Sequence, residues 1–157
     1  MSERMVIKNK KGLTLVELLA VIAILGILAG ISILAVGAII EKSKHQAFVA
    51  NAVAMKEAAS LHRRASEVAL NPQMQAKLTY TELVNEDYLH VLQDPYTRKE
   101  LGITDDQNKS FVEIKLEDNE LQYYVCLYGE TKKICGSHDE GIPSKELSTD
   151  KIANLLP

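Results

Sequence analysis

Four histidines and two cysteines are the residues of this chain best suited to chemistry, and their spacing points away from catalysis. His45, His62, His90 and His138 are scattered. None stands with an acid and a second histidine at a metal-ligand spacing. His62 falls in a helical stretch and reads as solvated or at a subunit contact. His138-Asp139-Glu140 reads as a polar loop rather than a catalytic dyad. There is no Gly-rich phosphate loop and no Gly-x-Ser-x-Gly. Cys126 and Cys135 form an even pair. In an exported domain such a pair reads as one disulfide, against the alternative of two buried thiols. A bridged Cys126 is no nucleophile. No metal, cofactor or enzymatic activity is expected.

One carboxylate stands where a carboxylate is costly. Glu17 sits at the lip of Leu18–Ile40, 23 residues without a charge, in which Ser32 is the only polar side chain and fourteen are Leu, Ile or Val. That run is long enough for a transmembrane helix. Its branched aliphatic residues favour insertion by about 4–8 kcal/mol in sum, more than the roughly 2.5–3.5 kcal/mol that a central acid costs. Arg4, Lys8, Lys10 and Lys11 precede the run against Glu3, and Glu41-Lys42 follow it. The positive-inside bias therefore predicts a single pass with the N-terminus cytoplasmic and the C-terminal domain outside. Ala35-Val36-Gly37-Ala38 can imitate a signal-peptidase site, but the apolar stretch before it is long for a signal peptide. The formal charge is −3. Neither this balance nor the small Lys132-Lys133 cluster supports nucleic-acid binding.

The elements behind these residues are legible from period. Residues 41–70 contain neither Pro nor Gly, and Ala47, Ala50, Ala54, Ala58, Leu61, Ala65 and Val68 recur at spacings of three and four. They predict one helix from about Leu13 to Leu70, stopped by Asn71-Pro72, with that stripe as its packing face. Thr79 and Glu82 have capping-box spacing before a short helix or turn. From Phe111 the period changes to two. Val112, Ile114 and Leu116 alternate with Phe111, Glu113, Lys115 and Glu117. Past a turn at Asp118-Asn119, Leu121, Tyr123, Val125 and Leu127 alternate with Gln122, Tyr124 and Cys126. A second turn at Tyr128–Thr131 leads to Lys132–Cys135. This predicts a three-stranded antiparallel meander with the two cysteines on neighbouring strands. The polar end, 137–157, carries Ile152, Leu155 and Leu156 and predicts a small helix after Ser148 or a frayed tail.

Gly12-Leu13-Thr14-Leu15-Val16-Glu17, after a short basic leader and before a continuous apolar run, closely resembles the N-terminus of type IV pilins and pseudopilins. The resemblance implies an α+β, type IV pilin-like fold, with one very long N-terminal helix packed on a small antiparallel sheet. It implies a leader at 1–12, a transmembrane and filament-core helix at 13–40 and its amphipathic continuation at 41–70. A connecting region at 71–110, the meander at 111–136 and a tail at 137–157 complete the expected layout. Prepilin peptidase would cut between Gly12 and Leu13 and methylate the Leu13 amine. Glu17, one helical turn on, would pair with the Leu13 amine of a neighbouring subunit. On the residues alone, a complement to the positive end of a helix is an equal reading of Glu17.

Implied partners are other copies of the chain in a homopolymeric filament, the peptidase, an assembly platform protein and ATPase, and membrane lipid before assembly. Implied locations are the cell membrane and then an extracellular pilus or pseudopilus. The structural subunit, major pilin-like, is the favoured role. A minor pilin, or a competence or type II secretion pseudopilin acting in DNA uptake, adhesion or secretion, is the alternative, and only there does nucleic acid enter. No basic or aromatic patch of the kind a tip binder needs is visible in the sequence. A second, softer likeness covers residues 80–101. There Leu83, Val84, Tyr88, Leu89, Asp94, Pro95 and Tyr96 resemble the segment joining helix to sheet in major pilins and the major pseudopilin of type II secretion. Some relatives bind calcium nearby. Asp105-Asp106 and Glu117-Asp118 offer oxygen ligands, but there is no 12-residue calcium loop. The chain departs from many relatives in having Leu34 and no helix proline before Pro72, leaving Gly26 and Gly30 as the weak points of the helix.

Overall fold

The computed structural model describes residues 10–65, 76–104, 106 and 108–155, the side chains of 10–13, 31–35 and 76 excepted. The element order is α1 (Lys10–Ala65), β1 (Ala76–Thr79), α2 (Tyr80–Asn85), β2 (Phe111–Glu117), β3 (Glu120–Tyr128), β4 (Lys132–Ile134), β5 (Ile142–Pro143) and β6 (Ile152–Asn154). This is the type IV pilin-like α+β fold, a long N-terminal helix with a small antiparallel sheet. The predicted helix end at Leu70 and the Asn71-Pro72 stop lie outside the described residues. The chain divides into two compact units, Met1–Glu41 and Lys42–Pro157.

In the first unit every described side chain from 14 to 30 and from 36 to 41 is exposed. Among the described residues no helix is long and apolar enough to cross a membrane. The side chains of 31–35, inside the predicted Leu18–Ile40 span, are among those not described.

In the second unit the helix buries Phe48, Ala52, Met55 and Ala59, spaced four, three and four apart, against Val112, Val125, Leu127 and Ile134 of the sheet. This corrects the expected packing stripe. Ala58 is buried and Ala54 half-buried, but Ala47, Ala50, Leu61 and Ala65 are exposed, and Val68 lies outside the described residues. The face that wins carries Phe48 and Met55, and burying large side chains removes far more apolar area from water than burying alanines.

The meander β2–β3–β4 forms as the alternation predicts, with Val112 opposite Val125 and Leu127 opposite Ile134. Asp118 and Asn119 both take positive φ, as a two-residue hairpin turn requires. Three strands extend it. β1 pairs with β2, β5 with β3 and β6 with β4, giving the order β1-β2-β3-β4-β6 with β5 beside β3. The stretch after Ser148 is thus a short 3-10 turn, Thr149–Lys151, leading into an edge strand, not a terminal helix. The capping box is present. The Thr79 hydroxyl accepts from the Glu82 amide at 3.2 Å and the Glu82 carboxylate accepts from the Thr79 amide at 2.7 Å, starting α2.

Candidate assembly site

Gly12, Leu13 and Glu17 all fall within α1. Leu13 and Glu17 are four residues apart, so they share a helix face about 6 Å apart along the axis. Glu17 is exposed, and around it Leu15, Val16, Leu18 and Leu19 are 61–68% exposed. From residue 4 to residue 40 it is the only acid. Ile22, Ile24, Leu25, Ile27 and Leu28 continue the apolar surface beyond it. A helix clothed in exposed branched aliphatic residues has an unburied driving force for association, and a lone carboxylate beside it is the one group there able to pair with a cation. Residues 1–9 lie outside the described residues.

Residues 7–33 match the prokaryotic N-terminal methylation motif. That motif is characteristic of type IV pilins and pseudopilins, and the match covers 27 of the chain's 157 residues. No curated protein and no solved structure matches the chain. Pilin family proteins are structural, not enzymes. The motif implies processing by prepilin peptidase, inner-membrane anchoring and assembly into a filament.

The second unit holds Cys126 and Cys135 as a disulfide with Cα atoms 4.4 Å apart. The β3–β4 register that sets Leu127 opposite Ile134 sets these two residues opposite each other. The bridge packs with Phe111 and Tyr128 in a small cluster of its own. Beside it the Asp139 carboxylate is gripped by the Lys133 ammonium. That contact first, and the Tyr128 hydroxyl second, hold Asp139 below the usual carboxylate range. Burial, reinforced by Asp139, pushes the Tyr128 hydroxyl up to about 12. His138 and Asp139 both take positive φ and form a turn, consistent with the polar-loop reading. His62 meets Glu86 at 2.9 Å and lies edge-on to Tyr88, a contact within this unit. Among the described residues no group of three His, Cys, Asp or Glu is placed to hold a metal ion; Asp105 lies outside them.

Asp94 of the Asp-Pro turn is a residue whose role the sequence did not reveal. Its carboxylate is fully buried. Oδ1 accepts the Tyr96 amide at 2.7 Å, and Oδ2 accepts the Glu130 amide at 2.7 Å. The turn between α2 and β2 is thereby stapled to the β3–β4 turn. Gly129 makes room for it: a Cβ there would stand 2.7 Å from Asp94 Oδ2 and 2.9 Å from the Phe48 ring. Asp-Pro is a turn-initiating pair, but nothing local to it points to a partner 36 residues away.

Proposed function

We propose that this chain is a structural, major pilin-like subunit of a type IV pilus or related filament, polymerised through its N-terminal helix. Prepilin peptidase cuts between Gly12 and Leu13 and methylates Leu13. The new amine is costly in an apolar core unless paired, and Glu17 of a neighbouring subunit pairs with it and sets axial register. Before assembly the apolar run anchors the chain in lipid with its C-terminal domain outside. A platform protein and an assembly ATPase then draw it into the filament. The observation that carries this reading is the exposed Leu/Ile/Val surface of α1 interrupted by one acid, Glu17, within the matched motif.

Two variants test it in cells that make the filament. Glu17→Ala leaves the fourteen aliphatic residues and the Gly12–Leu13 bond in place, so the chain should insert and be processed. It should fail to polymerise, because removing one partner of a buried ion pair costs about 3–5 kcal/mol at every subunit. Gly12→Ala should impair processing instead. N-terminal mass spectrometry reads cleavage and methylation, and electron microscopy of sheared material reads assembly. Normal filaments from Glu17→Ala would leave Glu17 only its complement to the helix terminus. A mature chain beginning near Ile39 would sink the pilin processing scheme.

A further inference from the structure

The solvent-facing side of the sheet gathers lysines over aromatic rings. Lys77 Nζ lies 3.8 Å from the centre of the Phe111 ring, Lys115 Nζ 4.6 Å from Tyr124 and Lys133 Nζ 5.7 Å from Tyr128. A groove of about 480 Å³ opens here, lined among others by Lys77, Asn108, Lys109, Phe111, Tyr128 and Asp139. That volume suits a small ligand.

Two carboxylates around this groove are paired with lysines, and a third accepts a neutral hydroxyl. Asp139 is held by Lys133, Glu113 pairs with Lys115 at 3.1 Å, and Glu117 accepts the Tyr124 hydroxyl at 2.7 Å. Lys77 and Lys109 are both exposed, and among the described residues neither has a carboxylate within ion-pair distance. An ammonium carries three donors, so the contact of Lys77 with Phe111 leaves it able to bind an anion. Lys109 projects from a fixed backbone. Asn108 and Ser110 on either side of it are buried, the Asn108 side chain accepts the Ser110 amide at 2.9 Å, and the Ser110 carbonyl accepts the Tyr80 amide at 2.9 Å. The groove thus joins two ammonium groups, neither of them within ion-pair distance of a carboxylate among the described residues, to an aromatic lining, on a chain whose formal charge is −3.

The geometry points to a binding site for a phosphomonoester carried on a ring. The phosphate, at about −1.5 to −2 charge at neutral pH, matches the two ammonium groups of Lys77 and Lys109. The ring meets the half-buried Tyr128, since Lys77 already covers the ring of the buried Phe111. Asp139 is neutralised by Lys133 and so does not repel the anion. The source is a free phosphorylated metabolite or the phosphorylated end of a surface polymer, which share this chemistry.

The test uses the full chain in detergent micelles, with phenyl phosphate as the probe. Amide chemical shifts at Lys77, Lys109 and Phe111 should move and saturate, with binding weaker as salt rises. Lys77→Gln/Lys109→Gln should weaken binding about tenfold or more, as loss of charge-assisted hydrogen bonds requires. Lys151→Gln, outside the groove, should leave it unchanged. The altered side chains are exposed, and an intact disulfide with unchanged shifts at Asp94 and Glu130 verifies the fold. Phosphorylated and unphosphorylated oligosaccharides, titrated in the same way, separate the polymer source from the free metabolite. Non-saturating shifts, or saturating shifts insensitive to the double variant, would overturn the site. Equal affinity for inorganic phosphate would overturn the role of the ring.

Discussion

Removing the Asp94 carboxylate should unfasten the second unit. In Asp94→Ala the Tyr96 and Glu130 amides each lose a charged acceptor 2.7 Å away. The site is fully buried, so water cannot simply replace the carboxylate, and Thr97, at 3.4 Å from the same oxygen, loses a weaker contact. A hydrogen bond to a charged group contributes about 1.5–3 kcal/mol, so two of them amount to roughly 3–6 kcal/mol. Against a typical domain stability of about 5–15 kcal/mol this is a large fraction. Gly129→Ala attacks the same point from the other side. Its methyl group cannot fit without displacing Asp94 or Phe48, both fully buried, and such overpacking costs about 1–3 kcal/mol. Lys99→Ala is the control. It breaks an exposed ion pair with Glu130 at 3.4 Å, another side-chain tie between these two turns, and should cost no more than about 1 kcal/mol. Guanidinium denaturation of the disulfide-intact chain in micelles, followed by tyrosine fluorescence, ranks the three. If Asp94→Ala proves no more destabilising than Lys99→Ala, the staple is not what holds the turn and the reasoning fails.

Three further outcomes follow from the disulfide corner. The Cys126–Cys135 bridge closes a short loop, so Cys126→Ser/Cys135→Ser should lower stability by about 2–3 kcal/mol on the chain-entropy model; denatured, unreduced wild type should show no reactive thiol, and labelling of both cysteines would refute the bridge. Tyr128, raised from 10.0 to about 12, contributes stability that is full below about pH 10 and lost as pH rises through about 12, so Tyr128→Phe should flatten the alkaline limb of the stability–pH curve; Asp139, held low, contributes above the ordinary carboxylate range and loses its contribution as pH falls through its depressed value, so Lys133→Met should move the acid limb upward in pH.

What the sequence made legible was periodic or local. The switch from a period of 3.6 to a period of 2 at Phe111 placed three strands, because each is bounded by its own turn residues and alternates inward and outward side chains. Thr79 and Glu82 are three residues apart, and their capping box is as local as a signal can be. The methylation motif is contiguous for the same reason: a peptidase must read it along the chain. β1, β5 and β6 were not legible, being four, two and three residues long. Strands that short owe their existence to the neighbour they pair with rather than to any pattern of their own. The packing face of α1 was misjudged because two apolar stripes run side by side on that helix, and only the sheet decides which is covered. The one holding Phe48 and Met55 is buried, and Ala47, Ala50 and Leu61 face outward. An apolar stripe left uncovered on the helix that carries the methylation motif suits the packing against copies of the chain that is proposed above. Its exposure in the isolated subunit therefore belongs to the same physical account as the exposed aliphatic residues around Glu17.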